Sequence, residues 1–196
     1  MKRQLILSIL FTSFSLPLFA QSSIVLTPVA EVLFKNVQST LTGAERNDIA
    51  AQLGFILSGD ENQPFALDKD SKDFPFGAIV LPTDMNKDGR EEIFVSFGNS
   101  YTSGNTGSSI SLFIKNAAGA YILNLGFPGV IPDALATSNV GYPDLLIGGP
   151  GFEYPVWRWN GKAYSDYKTV KDKDYEKLRK TNIEGLSKSY QQNIPQ

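Results

Sequence analysis

Neither cysteine nor histidine occurs among the 196 residues. Without cysteine the chain has no disulfides, no thiolate metal sites, no cysteine nucleophile and no acylated lipoprotein cysteine. Without histidine it has no Ser–His catalysis, no imidazole–metal site and no histidine pH switch. Basic excess is missing too, since 18 Lys and Arg stand against 20 Asp and Glu, which argues against nucleic acid as a partner. Beyond residue 20 no apolar run approaches the roughly 20 residues that a membrane helix needs.

The first feature present is a leader. Met1-Lys2-Arg3-Gln4 is a short positive stretch, Leu5 to Phe19 is an apolar run, and Ala20 precedes the polar Gln21-Ser22-Ser23. This is the layout of a secretory signal peptide cleaved after Ala20, leaving 21–196 as a single mature domain. The expected location is periplasmic or secreted, with no membrane span after cleavage. Of the 18 basic residues, Lys2 and Arg3 leave with the leader, so 16 face 20 acidic ones and the net charge is about −4.

Residues 24–54 read as helical. Thr27-Pro28 is an N-cap with proline at the first helical position, and Val29, Val32, Leu33, Val37 and Leu41 recur at helical spacing. Thr42-Gly43-Ala44-Glu45 is a capping box opening a second helix, with Gly54 as its terminator. Residues 55–167 change to strand and turn. Phe55–Leu57 and Phe65–Leu67 flank a polar turn; Gly77–Leu81, Glu92–Phe97, Ile110–Ile114, Ala120–Leu125 and Asp144–Gly149 read as strands. Val156–Trp159 and Lys162–Tyr164 form a hairpin through Asn160-Gly161. Residues 170–192 read as a helical tail, with Tyr175, Leu178, Leu186 and Tyr190 on one face.

Chemistry concentrates in Asp84-Met85-Asn86-Lys87-Asp88-Gly89-Arg90-Glu91-Glu92. Oxygen side chains fall at loop positions 1, 3, 5 and 9, namely Asp84, Asn86, Asp88 and Glu92. Calcium takes six to eight oxygens at about 2.3–2.6 Å, and alternation in a curled loop turns every second side chain inward. Gly89 permits the sharp turn, and Arg90 offers its carbonyl. The expected cofactor is therefore Ca2+. A helical EF-hand needs a bidentate Glu at position 12, where this chain has Val95 within the strand run Ile93-Phe94-Val95.

That combination resembles the FG-GAP/VCBS repeats, whose pattern is D-x-[DN]-x-D-G-x-x-[DE] followed by an apolar strand. Glu92 stands where the commoner residue is Asp. A degenerate second copy aligns Gly141-Tyr142-Pro143-Asp144-Leu145-Leu146-Ile147 with Gly89 to Val95. Its ligand positions hold Ala136, Ser138 and Val140, so it should bind no ion, and Asp144 is expected to cap its loop backbone. The resemblance covers Gly77 to Tyr164 and leaves out the helices before and after it; together they give an expected α+β chain, mainly antiparallel β built from two propeller-blade-like units fused into a small sheet, with helices on one side.

No motif marks an enzyme. The evident carboxylates are assigned to the metal, and Ile147-Gly148-Gly149-Pro150-Gly151 contains no serine nucleophile. Two segments suit binding instead. Asn99 to Gly107 is rich in Ser, Gly, Asn and Tyr, which supports adaptable contacts through Asn99, Tyr101, Ser103 and Asn105. The aromatic group Phe152, Tyr154, Trp157, Trp159, Tyr164 and Tyr167 places both tryptophans on one strand face. The expectation is a non-catalytic module with a protein partner in the cell envelope, such as a hydrolase met by an inhibitor or immunity protein. The alternative is a glycan or surface polymer held by Trp157 and Trp159.

Overall fold

A computed structural model of the chain describes residues 24–148 and 153–194. The expected leader, its Ala20 junction and Phe152 lie outside the described residues. The fold is mixed α+β, with mainly antiparallel sheets and short helices.

The N-terminal caps form as their residues dictate. Helix α1 (Pro28–Leu33) starts where the Thr27 hydroxyl accepts the Ala30 N–H at 3.3 Å. It stops at Phe34, well before Leu41. The chain beyond is held from outside instead: the Glu91 carboxylate accepts the Thr40 N–H at 2.7 Å and the Ser39 hydroxyl. Tertiary hydrogen bonds thus replace the helical ones that the apolar spacing predicted. Helix α2 (Gly43–Leu53) has the full Thr42–Glu45 capping box and closes at Gly54 with φ 71°, a left-handed conformation that glycine adopts without strain. Strands β1 (Ile56–Leu57) and β2 (Phe65–Ala66) pair as a short hairpin.

Two sheets follow, not one. Strands β3 (Ala78–Thr83), β4 (Glu92–Phe97), β5 (Ser109–Lys115) and β6 (Tyr121–Pro128) make a four-stranded antiparallel meander. Strands β7 (Asp133–Asn139), β8 (Tyr142–Leu146), β9 (Glu153–Trp159) and β10 (Tyr164–Lys171) make a second, extended to five strands by β11 (Lys180–Asn182) beside β7. Strand β7 is invisible in the sequence pattern, because Ala134-Leu135-Ala136-Thr137-Ser138 lacks clean alternation. It turns into β8 through Val140 (φ 47°) and Gly141 (φ 84°), two positive-φ residues of the kind that fit a tight hairpin.

The expected tail helix is broken. A single turn, α4 (Asp172–Tyr175), precedes β11, and only then comes α5 (Ile183–Gln192), capped where Asn182 Oδ1 accepts the Glu184 N–H at 3.0 Å. The open edge of β7 offers backbone partners that the helix would forgo, and Lys180–Asn182 take them.

Period-2 alternation then sorts the core into layers. Ile93, Val95 and Phe113 point from the first sheet onto α1 and α2. Phe94, Leu112 and Ile114 point the other way, meeting Leu145, Ile147 and Trp159 of the second sheet and Ile183 of α5. Leu146, Val156 and Val170 face outward and are covered by Tyr175 and Leu178. Helical segments therefore cover the stack from more than one side, where the sequence reading expected one.

Candidate metal centre

The Asp84–Glu92 segment is the β3–β4 connection. Lys87 (φ 60°) and Gly89 (φ 81°) curl it. Its side-chain oxygens close on its own backbone: Asp84 accepts the N–H groups of Asp88 and Gly89 at 3.0 and 3.1 Å, and Asn86 accepts that of Asp88 at 3.1 Å. Asp88 accepts the Arg90 N–H at 2.9 Å through one oxygen and the Arg90 guanidinium at 2.7 and 3.1 Å through the other. Burial works to raise the Asp88 carboxyl, but these Arg90 hydrogen bonds outweigh it and hold the group below its ordinary value. The Arg90 side chain therefore folds back onto the loop.

Glu92 begins β4 and is 1% exposed. Its Oε2 accepts the Met85 N–H at 2.8 Å, tying the last loop position to the second. The Tyr142 hydroxyl of β8 lies against it. Desolvation pushes its carboxyl up to about 8, and the charges of Asp84 and Asp88 push the same way. Among the described residues no Lys or Arg pairs with it.

The donor set suits calcium in kind. Asp84, Asn86, Asp88 and Glu92 supply hard oxygens, and a carboxylate oxygen accepting one N–H keeps a further lone pair. Convergence is incomplete, because among the described residues no three acidic side chains group closely enough to cage an ion. Glu92 faces Met85, and Asp88 faces Arg90. Neighbouring Glu91, 2% exposed, anchors the extended segment around Thr40 and accepts the Tyr121 hydroxyl on its carbonyl at 3.0 Å.

The second copy answers the same electrostatic problem differently. Asp144, fully buried, occupies the place of Glu92 but sits in the middle of β8. It does not cap its loop backbone as expected. Its two oxygens take Arg158 Nε and Nη2 at 2.8 and 2.7 Å, and Oδ2 also accepts the Thr137 hydroxyl. Burial works to raise this carboxyl, but Arg158 and Thr137 hold it below its ordinary value. The register explains the pairing. Leu145 pairs with Trp157, which puts Asp144 opposite Arg158; Ile93 pairs with Phe113, which puts Glu92 opposite Ile114. Sequence reading missed Arg158, although the Trp-Arg-Trp alternation already turned it away from the tryptophans and onto the other face.

The expected partner loop is ordered by its own side chains. Helical turn α3 (Ser100–Ser103) is capped by Asn99, whose Oδ1 accepts the Tyr101 and Thr102 N–H groups and whose amide donates to the Phe74 and Pro75 carbonyls. Ser103 is buried against the Ser109 hydroxyl at 2.8 Å. Ser103 is thus turned into the interior, while Asn99 is half-buried with its side chain committed to the cap and to Phe74 and Pro75. Tyr101 and Asn105 stay exposed, and Tyr101 lies flat on Phe74 with ring centroids 3.8 Å apart.

Trp159 is core, packed between Tyr142 and Tyr164. Trp157 is half-buried, stacked on Phe127 at 4.9 Å, with its Nε1 buried and unpartnered. Both tryptophans face the first sheet, so no exposed two-ring platform forms. No family model, no curated protein and no solved structure matches the chain.

Proposed function

We propose that this chain is an exported, calcium-stabilised, β-rich binding module without catalytic activity, acting on a protein target in the cell envelope as a periplasmic inhibitor or immunity protein does. One observation carries the metal half of the reading. Of two equivalent buried carboxylates, Asp144 has Arg158 as its counter-cation, and Glu92 has none among the described residues. A buried carboxylate without a cation is costly, and a calcium ion at the Asp84–Glu92 loop would supply the missing charge. Asp84, Asn86, Asp88, the Arg90 carbonyl and Glu92 are the residues that would hold it, with the Arg90 guanidinium displaced from Asp88.

Two four-stranded meanders in succession support the blade-like reading of the FG-GAP/VCBS resemblance. Ordering of β4 by the metal would steady the loop that β4 leads into, and exposed Tyr101 and Asn105 on that loop are the surface we assign to the partner. The core position of Trp159 weighs against a glycan-binding tryptophan face. Thermal unfolding tests the metal. Millimolar calcium should raise the melting temperature over the chelated protein, and Asp84→Ala with Asp88→Ala should abolish the rise. No shift in the wild-type protein would refute the metal reading. Affinity capture from a periplasmic extract tests the target, with recovery of a single cell-wall hydrolase as the expected result.

A further inference from the structure

A cleft of about 630 Å³ opens beside the same loop, between the β3–β4 connection, β7, the Leu178–Thr181 segment and α5. That volume falls in the range of natural ligand sites. Its wall is apolar at Met85 and Leu186, which pack on the same core cluster, and basic where Lys87, Arg179 and Lys180 line it. Among the described residues none of these three cations pairs with a carboxylate. Lys180 lies 3.9 Å over the Tyr175 ring and donates to its carbonyl, which uses one donor and leaves the charge uncompensated. One acid lines the cleft, Asp84, and both its oxygens are turned onto loop N–H groups. In a chain with acidic excess this concentration of unpaired basic groups is local. The larger groove along β3 is different in kind, since it mixes Lys35 and Lys188 with Asp60, Glu61 and Glu184 and so selects neither sign.

We infer that this cleft receives an acidic residue from an apolar segment of the protein target. The carboxylate meets Lys87 and Arg179, and the flanking apolar side chains rest on Met85 and Leu186. Charge complementarity argues for the acid, because a neutral or basic segment would leave those cations buried beneath it without partners. The apolar wall argues for flanking apolar residues, whose burial supplies the non-directional part of the affinity. The inference rests on the protein-target reading and names the chemistry that the target must present.

The test is a titration of the isotopically labelled full chain, followed by amide NMR, with three blocked tripeptides: Ac-Leu-Glu-Leu-NH2, Ac-Leu-Gln-Leu-NH2 and Ac-Leu-Lys-Leu-NH2. The Glu peptide is expected to give saturable shifts at Lys87, Ala136 and Thr181 and to bind about tenfold more tightly than the Gln peptide, with the Lys peptide weaker still. The double variant Lys87→Gln with Arg179→Gln should erase the preference for Glu over Gln while leaving amide positions remote from the cleft unchanged. Equal binding of Glu and Gln peptides overturns the inference, and so does the absence of saturable shifts. Shifts gathered instead around Phe74 and Tyr101 overturn the cleft and leave the protein-target reading standing. If the double variant loses its fold, the peptide charge series on the wild-type chain decides alone.

Discussion

Asp144 and Arg158 face each other across β8 and β9 as a bidentate pair, with Oδ1 accepting Nε at 2.8 Å and Oδ2 accepting Nη2 at 2.7 Å. Removing the cation strands a buried carboxylate. Arg158→Met should therefore cost about 3 kcal/mol in urea unfolding at neutral pH. Asp144→Asn combined with Arg158→Met should cost less than the two single losses added together, because the partners depend on each other. The Asp144 carboxyl is held below its ordinary value in the fold. Its contribution is thus present above the unfolded carboxylate range, near pH 4, and is lost as pH falls through the folded value. The double variant should lose that part of the acid sensitivity.

Glu92 has the opposite sign. With its carboxyl pushed up to about 8, the folded chain holds that proton more tightly than the unfolded chain does. Stability from this group is fully present below the unfolded value and is lost as pH rises towards about 8. In chelator the melting temperature should fall between pH 5 and pH 8 for the wild type. Glu92→Gln keeps an oxygen for the Met85 N–H and should flatten that fall. A wild-type curve flat across the window would contradict the buried, cation-free carboxylate.

The two tryptophans should separate by position. Trp159→Ala empties core volume between Tyr142 and Tyr164 and should cost about 3–5 kcal/mol. Trp157→Phe keeps a ring on Phe127 and removes the buried, unpartnered Nε1. It should stay within about 1 kcal/mol of wild type, since an unsatisfied N–H contributes nothing favourable. Denaturant midpoints of the two variants, at constant slope, make the comparison.

Gly98 holds the exposed loop in place. It sits at φ 102°, and a Cβ there would stand 2.5 Å from Ser103 Oγ and 2.7 Å from Thr102 Oγ1. Gly98→Ala should cost about 2 kcal/mol, because both backbone conformation and contact oppose it. Hydrogen exchange should quicken over Asn99–Ser109 before it changes in the second sheet. Unaltered exchange in that segment would show that the Asn99 cap holds the loop without Gly98.

Much of the local structure was legible in the residues themselves. Thr27-Pro28, the Thr42–Glu45 box and Gly54 mark helix ends by hydrogen bonds that form within a few residues. The Glu92–Phe97 strand and the Asn160-Gly161 turn are equally local. Legibility failed where a distant group decided. The helix expected to reach Leu41 ends at Phe34 because the following segment bonds to Glu91, and the tail helix yields Lys180–Asn182 to the edge of β7. Ser103 belongs to a segment with the composition of a contact loop, but its hydrogen bond to Ser109 turns it inward, and Asn99 is tied to the Phe74 and Pro75 carbonyls.

By itself the sequence determined the chemistry available. Without cysteine and histidine, only oxygen ligands and carboxylate charge remain, and the spacing of Asp84, Asn86, Asp88 and Glu92 concentrates them in one loop. Tertiary structure alone decided what neutralises each buried acid. Burial and strand register are properties of the packed sheets, and register set Arg158 opposite Asp144 but Ile114 opposite Glu92. The electrostatic difference between the two copies is therefore an outcome of pairing across strands, which no local pattern encodes.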